Sequence, residues 1–366
     1  MVAQDKQKLW SITPFEKWVE EEGLPVITGQ YVYDIAEAKL APWERTGCYG
    51  ALLDLESDPI PGALVSGTGM TAYICDIPPR GTFKAEKHLY EEVIYIVKGM
   101  GGATIWNEGG RKHTFEWQEG SLFATPLNAW HELYNGQGSE TTRLLVVTNA
   151  PAVINLYRSR DFVYRNSHVF SDRFTGEEPD YFNPKGKKLE ARFLETNFVS
   201  NVKTLELDGW SERGPGKNMM FMIADGALMA HVSEFPVGTY KKAHSHHMQS
   251  GRGGFAGKAH ILVLSGEGYD LQWPPADNKH REKIDWKEGT LFTAGRGYHQ
   301  HFNTSNRPAR YLAFRTGNPR YSGATGTRYK MTGGEQIEFA QEDPEIRAMF
   351  IVELKRQDIP CAMPTT

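Results

Sequence analysis

The sequence predicts an all-β protein made of two similar barrels or jelly rolls in tandem, with helices only at the margins. Three observations support this fold class. Short apolar runs are separated by Gly, Pro and Asn turns, helical patterns are confined to the two ends, and an internal repeat of about 167 residues is present. Short strands with frequent turn residues are typical of barrels and jelly rolls. A repeat of this length exceeds a solenoid unit and indicates duplication of a whole domain.

The repeat is clearest in two stretches, "FEWQEGSLFATPLNAWHELYNGQGSETTRLLVVTNAP" and "IDWKEGTLFTAGRGYHQHFNTSNRPARYLAFRTGNP". Gly120 in the first copy pairs with Gly289 in the second, and His131 pairs with His299. Upstream of them, β-branched and aromatic runs such as "VIYIVKGMGGATIW" and "ILVLSGEGYDLQW" are broken by glycine. Each copy therefore reads as a series of short strands.

Helix signals mark the ends of the chain. Thr13 is a predicted N-cap, with Glu16 in the capping-box position and Gly23 as a stop. Asp343 caps the stretch "DPEIRAMFIVELKRQ", whose apolar residues lie on one helical face. We therefore expect an N-terminal helical arm (1–40), a first barrel domain (41–170), a linker (171–200), a second barrel domain (201–325) and a C-terminal segment with a helix (326–366).

The composition is that of an ordinary globular protein. The 366 residues are 40% hydrophobic and 23% charged, with a net charge of −4. That balance argues against a nucleic-acid partner, which requires clustered Lys and Arg. No apolar run approaches the length of a membrane-spanning helix, and the first residues show no apolar signal core. Because the 3 cysteines are widely spaced, they do not indicate a disulfide framework. We expect a cytoplasmic protein that does not bind a membrane.

Side chains that can bind a metal recur in the first copy. Glu86, His88 and Glu92 occur at alternate positions and would share one face of a strand. His131 lies on a later strand of the same copy. Two carboxylates and two histidines could therefore meet inside a barrel, and such a mixed set suits Mn, Fe or a similar divalent metal.

These stretches resemble the two sequence motifs of cupins. The second motif reads G, five residues, P-x-G, two residues, H, three residues, N. Gly120, Pro126, His131 and Asn135 fit this pattern. The resemblance implies that His131 is a metal ligand inside a cupin barrel.

The first cupin motif reads G, five residues, H-x-H, three or four residues, E, six residues, G. His88 takes its second histidine position, Glu92 its glutamate and Gly99 its closing glycine. Glu86 stands where cupins usually carry the first histidine. The resemblance implies that Glu86, His88 and Glu92 bind metal together with the histidine of the second motif.

The second copy resembles the same motifs with a different set of residues. His244 and His246 form the H-x-H pair, and His299 is the histidine of the second motif. The motif's glutamate is missing, and His260 is its candidate replacement after a glycine-rich insertion. Strand alternation would aim His260 out of the barrel unless a β-bulge intervenes. His301, which shares the strand face of His299, remains the alternative.

Arg315 raises a separate question, because the first copy carries Val147 in the aligned sequence. A guanidinium can bind a carboxylate through two parallel hydrogen bonds. The sequence leaves open whether Arg315 clamps a substrate carboxylate or forms a salt bridge at the barrel rim.

The resemblance covers roughly residues 40–150 and 205–318 and identifies the chain as a bicupin. Cupins with such sites are similar to dioxygenases of aromatic or enolic substrates, so we expect a metal-dependent oxygenase acting on a small aromatic or enolic acid. The alternatives are a non-oxidative decarboxylase, lyase or isomerase, and a small-molecule-binding regulatory cupin. The whole chain also resembles bacterial two-cupin proteins loosely labelled ethanolamine ammonia-lyase-activating proteins. That label implies no role for any residue named above.

The resemblance also implies a cofactor and partners. We expect a divalent metal ion, with Fe or Mn favoured and with Ni, Cu or Zn as alternatives. The partners would be a small-molecule substrate and further copies of the same chain in a homo-oligomer. The sequence names no catalytic residue and does not specify which barrel is active.

Overall fold

A computed structural model of the chain describes residues 12–55, 69–190, 192–245, 259–274, 277, 279–294, 297–317 and 335–364. Strands dominate both halves. The first half contains β1 (Val26–Gly29), β2 (Tyr31–Val32), β3 (Ala41–Trp43), β4 (Cys48–Leu55), β5 (Thr71–Ile77), β6 (Thr82–Glu86), β7 (Glu92–Lys98), β8 (Met100–Trp106), β9 (His113–Gln118), β10 (Leu122–Ala124), β11 (Trp130–Asn135) and β12 (Thr142–Thr148).

The second half repeats this arrangement. It contains β13 (Lys187–Lys188), β14 (Phe193–Thr196), β15 (Phe198–Val199), β16 (Asp208–Gly209), β17 (Lys217–Ile223), β18 (Leu228–Phe235), β19 (His244–Ser245), β20 (Ala259–Ser265), β21 (Glu267–Trp273), β22 (Glu282–Lys287), β23 (Leu291–Ala294), β24 (Tyr298–Asn303), β25 (Ala309–Thr316) and β26 (Glu335–Gln336). The helices are α1 (Pro14–Glu22), α2 (Ala150–Tyr157), α3 (Arg160–Arg165) and α4 (Pro344–Arg356), with short 3₁₀ turns at Ile35–Glu37 and Phe339–Gln341.

Each half forms a barrel from a large and a small sheet. In the first barrel the large sheet has the order β1-β4-β5-β12-β7-β10-β15, with β3 beside β4, and the small sheet is β6-β11-β8-β9. In the second barrel the large sheet is β13-β14-β17-β18-β25-β20-β23-β2, with β16 beside β17, and the small sheet is β22-β21-β24-β19-β26. The prediction of an all-β protein with two tandem barrels is confirmed.

The segments that precede the two barrels also belong to the repeat. Strand β1 pairs in parallel with β4, and β14 pairs in parallel with β17. The next short strand of each segment crosses to the other barrel, because β2 pairs with β23 and β15 pairs with β10. Region 1–40 thus contributes β1 to the first barrel and β2 to the second, and region 171–200 contributes β13 and β14 to the second barrel and β15 to the first.

The large sheets are buried on both faces. Leu144 and Val146 face the interior of the first barrel, and the alternate residues Leu145 and Val147 enter a core that lies between the two barrels. Phe314 of the second barrel enters the same core. Side chains alternate between the faces of a strand, so each large sheet lines a barrel on one side and the shared core on the other.

The capping signals place the terminal helices where the sequence predicts them. The Thr13 hydroxyl accepts a hydrogen bond from the N–H of Glu16, and the Glu16 carboxylate accepts one from the N–H of Thr13. Gly23 ends α1 with a φ of 67°. Asp343 caps α4, whose buried residues pack on the small sheet of the second barrel.

Helices α2 and α3, which follow the first barrel, were not predicted. Both are short. The N-cap residue of α2, Asn149, makes no side-chain capping bond, so the sequence carries only a weak start signal. Among the described helices, none is long and apolar enough to cross a membrane.

Candidate metal centres

The first group of candidate ligands lies inside the first barrel. Glu86 ends β6, His131 lies on β11 directly opposite Glu86, and His88 follows in the loop before β7. One ligand atom from each of the three lies within 4.8 Å of the others. Both histidines are almost fully buried, at 1–2% exposed. Strand pairing therefore brings residues that are distant in sequence to one interior point.

The two imidazole rings are oriented by backbone carbonyls. His88 Nδ1 donates to the carbonyl oxygen of Tyr90 at 2.8 Å, and His131 Nδ1 donates to that of Ala129 at 3.2 Å. A carbonyl can only accept, so the remaining lone pair of each ring is on Nε2. Each of these Nε2 atoms lies 4.0 Å from Glu86 Oε1.

Glu92, the fourth candidate, lies beside this group. Its Oε2 is 3.5 Å from His88 Nε2, and its Oε1 accepts the hydroxyl of Tyr73 at 2.7 Å. Burial acts to raise the pKa of Glu92, but His88, His131 and Tyr73 outweigh it, and the pKa lies below its ordinary value. The carboxylate is therefore charged at neutral pH and available to a cation.

Glu86 has a second partner that the sequence did not indicate. Arg45, from the loop before β4, forms an ion pair with Glu86 and another with Glu22 at the end of α1.

Burial, and then the neighbouring His88, lower the pKa of His131 to about 4. The ring of His131 is consequently neutral at physiological pH, the form in which imidazole binds metals.

The second group lies at the corresponding place in the second barrel. His244 on β19 is paired with His299 on β24, and His301 is two residues further along the same strand face. One nitrogen from each ring lies within 4.8 Å of the others. All three residues are buried, at 2–3% exposed. Burial, and then His301, lower the pKa of His299 well below its ordinary value.

Asp270 on β21 orients His301. Its Oδ1 accepts from His301 Nδ1 at 2.8 Å and from the Trp286 indole at 3.0 Å, and the residue is fully buried. A carboxylate on one imidazole nitrogen leaves the other nitrogen for a metal and fixes its direction. At the equivalent positions the first barrel has Ala103 and Leu133, which are paired in the same way. Asp270 was not predicted from the sequence, although its position opposite a histidine in an aligned strand indicates it.

The strand register corrects the assignment of His260. In the first barrel Glu92, at the start of β7, is paired with Thr148. In the second barrel the equivalent residue at the start of β20 is Ala259, which is paired with Arg315. His260 is one residue further, and its cross-strand partner is Phe314, which belongs to the core between the barrels. The pairing is regular from Ala259 to Val263, and the register shift of this strand pair lies beyond it, between Val263 and Ser265, so alternation directs His260 to the outer face. The structure thus places it away from the group formed by the other histidines.

The same register corrects the alignment of Arg315. Its structural equivalent is Thr148 and not Val147, so its side chain belongs to the interior face of the second barrel. It is 8% exposed. His246, the remaining predicted ligand, lies outside the described residues.

The comparisons with known proteins agree with this geometry. A family model described as "Cupin domain" matches residues 73–148. A single-residue variant of the oxalate decarboxylase of Bacillus subtilis superposes with a TM-score of 0.50 at 13% identity, covering 86% of this chain and 87% of that chain. The chain therefore has the fold of a two-barrel cupin protein, and residues 73–148 match the cupin domain. A search of curated proteins finds no significant match.

Two further solved structures are similar to this bicupin. The Bacillus subtilis oxalate decarboxylase at pH 4.6 superposes with a TM-score of 0.49 at 13% identity, covering 86% of each chain. A structure that concerns substrate binding and a reaction-specificity switch in oxalate decarboxylase gives 0.48 at 14% identity, covering 80% of this chain and 78% of that chain.

The residues of both barrels of this bicupin fit a divalent metal. In the first barrel the Nε2 atoms of His88 and His131 are buried and form no hydrogen bond among the described residues. Buried polar atoms are normally satisfied, so two such atoms directed at one carboxylate indicate a place for a cation. In the second barrel the Asp270–His301 pair has the arrangement that orients a metal-binding imidazole.

Proposed function

We propose that this bicupin is a metal-dependent enzyme that acts on a small carboxylic acid. The observation that carries the proposal is the presence, in each barrel interior, of three N or O ligand atoms within 4.8 Å of one another. The first barrel would hold its metal through His88, His131 and the carboxylate of Glu86 or Glu92. The second would hold its metal through His244, His299 and His301.

The two donor sets favour different metals. A site that combines imidazole with carboxylate suits Mn or Fe(II), whereas a site of imidazoles alone also suits Zn, Cu or Ni. A bound divalent metal would supply Lewis-acid polarisation of a substrate oxygen and open coordination positions. Three protein ligands leave such positions free in either barrel.

The leading reaction is an oxygenation of an aromatic or enolic acid, which the cupin likeness supports as an analogy of fold. In such a reaction the chain's own part is to bind and orient the acid and to exclude water. The aromatic and aliphatic lining of both barrel interiors supports that role.

A second candidate is a non-oxidative decarboxylation, and one observation favours it. Tyr311 lies beside His301, with ring centroids 4.8 Å apart, and Asp270 accepts from the same histidine. Burial raises the pKa of Asp270 above its ordinary value, although His301 and Trp286 oppose this effect. Groups that can carry a proton next to a metal group suit the protonation that replaces a lost carboxylate.

Metal analysis of the full-length protein tests the proposal. We expect about two metal equivalents per chain, one of which is lost in His131→Ala and the other in His299→Ala. Oxygen uptake measured with candidate acids separates the two reactions, because only the oxygenase consumes O₂. The proposal fails if both variants retain the full metal content while remaining folded by circular dichroism.

A further inference from the structure

The interior of the second barrel contains four cationic side chains, called here the cation group: Arg192, Arg213, Lys241 and Arg315. Lys241 is 2% exposed, and Arg192 and Arg315 are each 8% exposed. The pKa of His231 lies well below its ordinary value. Burial is the largest cause, and the positive charges of Arg315, Arg213, Lys241 and Arg192 lower it further. Like charges around one imidazole repel each other, so an anion bound among them would be stabilised.

Trp210 lies at the centre of the cation group. The guanidinium carbon of Arg192 is 4.5 Å from an indole ring centroid of Trp210, Lys241 Nζ is 5.5 Å away and the guanidinium carbon of Arg213 is 5.6 Å away. Cation–π attraction over an indole stabilises each charge. It supplies no negative charge to the ammonium of Lys241.

Lys241 has no carboxylate partner among the described residues. Its Nζ donates to the Ser233 hydroxyl at 2.7 Å and enters none of the ion pairs found in the described part of the chain. A buried ammonium without a counter-ion is unfavourable, and proteins normally pair such charges.

Two further donors lie in the same place. His231 Nδ1 and Trp210 Nε1 are both buried and form no hydrogen bond within the part of the chain that the structure describes. The indole N–H, and the imidazole nitrogen when it carries the proton, are complementary to an acceptor that carries negative charge. The unsatisfied atoms and the ammonium of Lys241 therefore point to the same kind of ligand.

The cation group adjoins the metal-binding group of this barrel. The Tyr311 ring is 4.8 Å from the His301 ring on one side and 6.0 Å from the His231 ring on the other. Lys241 Nζ is 5.7 Å from the same tyrosine ring, and its backbone N–H donates to the carbonyl of His301 at 3.0 Å. One aromatic ring thus separates the two groups.

Among the described residues of the first barrel, the equivalent positions carry no such group. Strand register places Tyr73 where the second barrel has His231, Phe83 where it has Lys241, and Thr148 where it has Arg315. The cations are therefore a feature of the second barrel and not a requirement of the fold.

We propose that the cation group binds one carboxylate of a small dicarboxylate whose other carboxylate reaches the metal group formed by His244, His299 and His301. This inference rests on the proposed function and narrows its substrate to an acid with two anionic ends. Two separate positive centres, one of protein cations and one of metal, suit a ligand with two separate charges. Inorganic phosphate, a single compact anion, cannot span both.

Calorimetric titration of the full-length protein tests this assignment. Malonate, succinate and glutarate are compared with the monocarboxylates of the same carbon number and with inorganic phosphate, on Mn²⁺-loaded and on chelator-treated protein. We expect at least one dicarboxylate to bind at least tenfold more tightly than its monocarboxylate counterpart. Metal removal should weaken the binding of that dicarboxylate and leave the residual affinity that the cation group provides.

Variants separate the cation group from other anion-binding surfaces. Lys241→Met should weaken the dicarboxylate at least tenfold, and the exposed Lys217→Met on the same barrel should not change it. Arg213→Met, at a half-buried position, is the second variant if Lys241→Met does not fold. Equal affinity in the two lysine variants, or tighter binding of phosphate than of every dicarboxylate, would overturn the inference.

The metal content of the same samples distinguishes this failure from failure of the proposed function. If the protein retains its metal but binds no dicarboxylate, the proposal of a metal enzyme stands and the assignment of a dicarboxylate substrate fails. If the protein binds a dicarboxylate through Lys241 but holds no metal at the histidines, the anion site stands and the proposal of a metal enzyme fails.

Discussion

The position that carries Glu92 in the first barrel carries Ala259 in the second, one residue before His260. A shift of one residue along a strand exchanges the interior and exterior faces. The second barrel thus loses a carboxylate at this place, and it gains His301 with Asp270 on the opposite sheet. The two groups of candidate ligands are similar in position and different in chemistry.

This difference gives a prediction for metal content. His301→Ala should weaken metal binding in the second barrel at least about tenfold, because it removes an imidazole whose direction is fixed by Asp270. His260→Ala should leave the metal content unchanged. Elemental analysis after dialysis against limiting metal measures both variants. A loss of metal in folded His260→Ala would show that the register argument fails.

Lys241 gives a prediction for the pH dependence of stability. Burial, and then Arg213 and Arg192, lower the pKa of Lys241 from 10.5 to about 7. Between these values the unfolded chain holds a proton that the folded protein has released, so this group makes the free energy of unfolding rise with pH. Below pH 7 both states are protonated, and the cost of burying the charge is constant.

Lys241→Met should therefore be more stable than the natural protein below pH 7, by a few kcal/mol. The difference should shrink as the pH rises toward 10.5. Urea unfolding of both proteins at a series of pH values, without added anions, measures it. A stability difference that does not depend on pH would contradict the assignment of the charge.

At the scale of elements, helix α1 closes one end of the first barrel. Its last residue, Glu22, accepts hydrogen bonds from the Trp43 indole and from Arg45, which in turn pairs with Glu86. The helix therefore connects the N-terminal arm to the candidate metal centre. Its start depends on the capping box of Thr13 and Glu16.

Thr13→Ala should lower the free energy of unfolding by about 1 kcal/mol, because the N–H of Glu16 loses its acceptor. Thr13→Ser retains the hydroxyl and is the matched control, with an expected change of a few tenths of a kcal/mol. Chemical denaturation followed by tryptophan fluorescence measures both. Equal stability of the two variants would show that the cap does not support the helix.

At the scale of the whole molecule, the two barrels share one core and exchange strands. The shared core takes residues from both large sheets, β2 completes the second barrel and β15 completes the first. Glu91 of the first barrel also accepts the backbone N–H of Leu228 in the second at 2.9 Å. Separating the barrels would expose all of these apolar side chains to water.

We therefore expect the chain to unfold in one cooperative transition. Differential scanning calorimetry should give one peak whose calorimetric and van't Hoff enthalpies agree. Glu91→Leu should lower the midpoint, because the buried N–H of Leu228 loses its acceptor at a cost of about 1–3 kcal/mol, and Glu91→Gln is the control. Two well-separated transitions in the natural protein would contradict the coupling.

Local patterns in the sequence determined the fold class and much of the candidate site. Alternation, turn residues and the repeat predicted two β-barrels, and the capping signals predicted α1 and α4, because these features depend on neighbours within a few residues. The candidate ligands Glu86, His88, His131, His244 and His299 also followed from local spacing, although their metal binding is still a prediction.

Only the tertiary structure decided which side chains meet across strands. The sequence alignment placed Arg315 and His260 one residue out of step, and a one-residue error inverts the face of every side chain in a strand. The pairing of Asp270 with His301 and the gathering of Lys241 with Arg192 and Arg315 join residues from separate strands and loops. Their spacing along the chain carries no periodic signal, because closure of the barrel, and not local sequence, sets the distances between them.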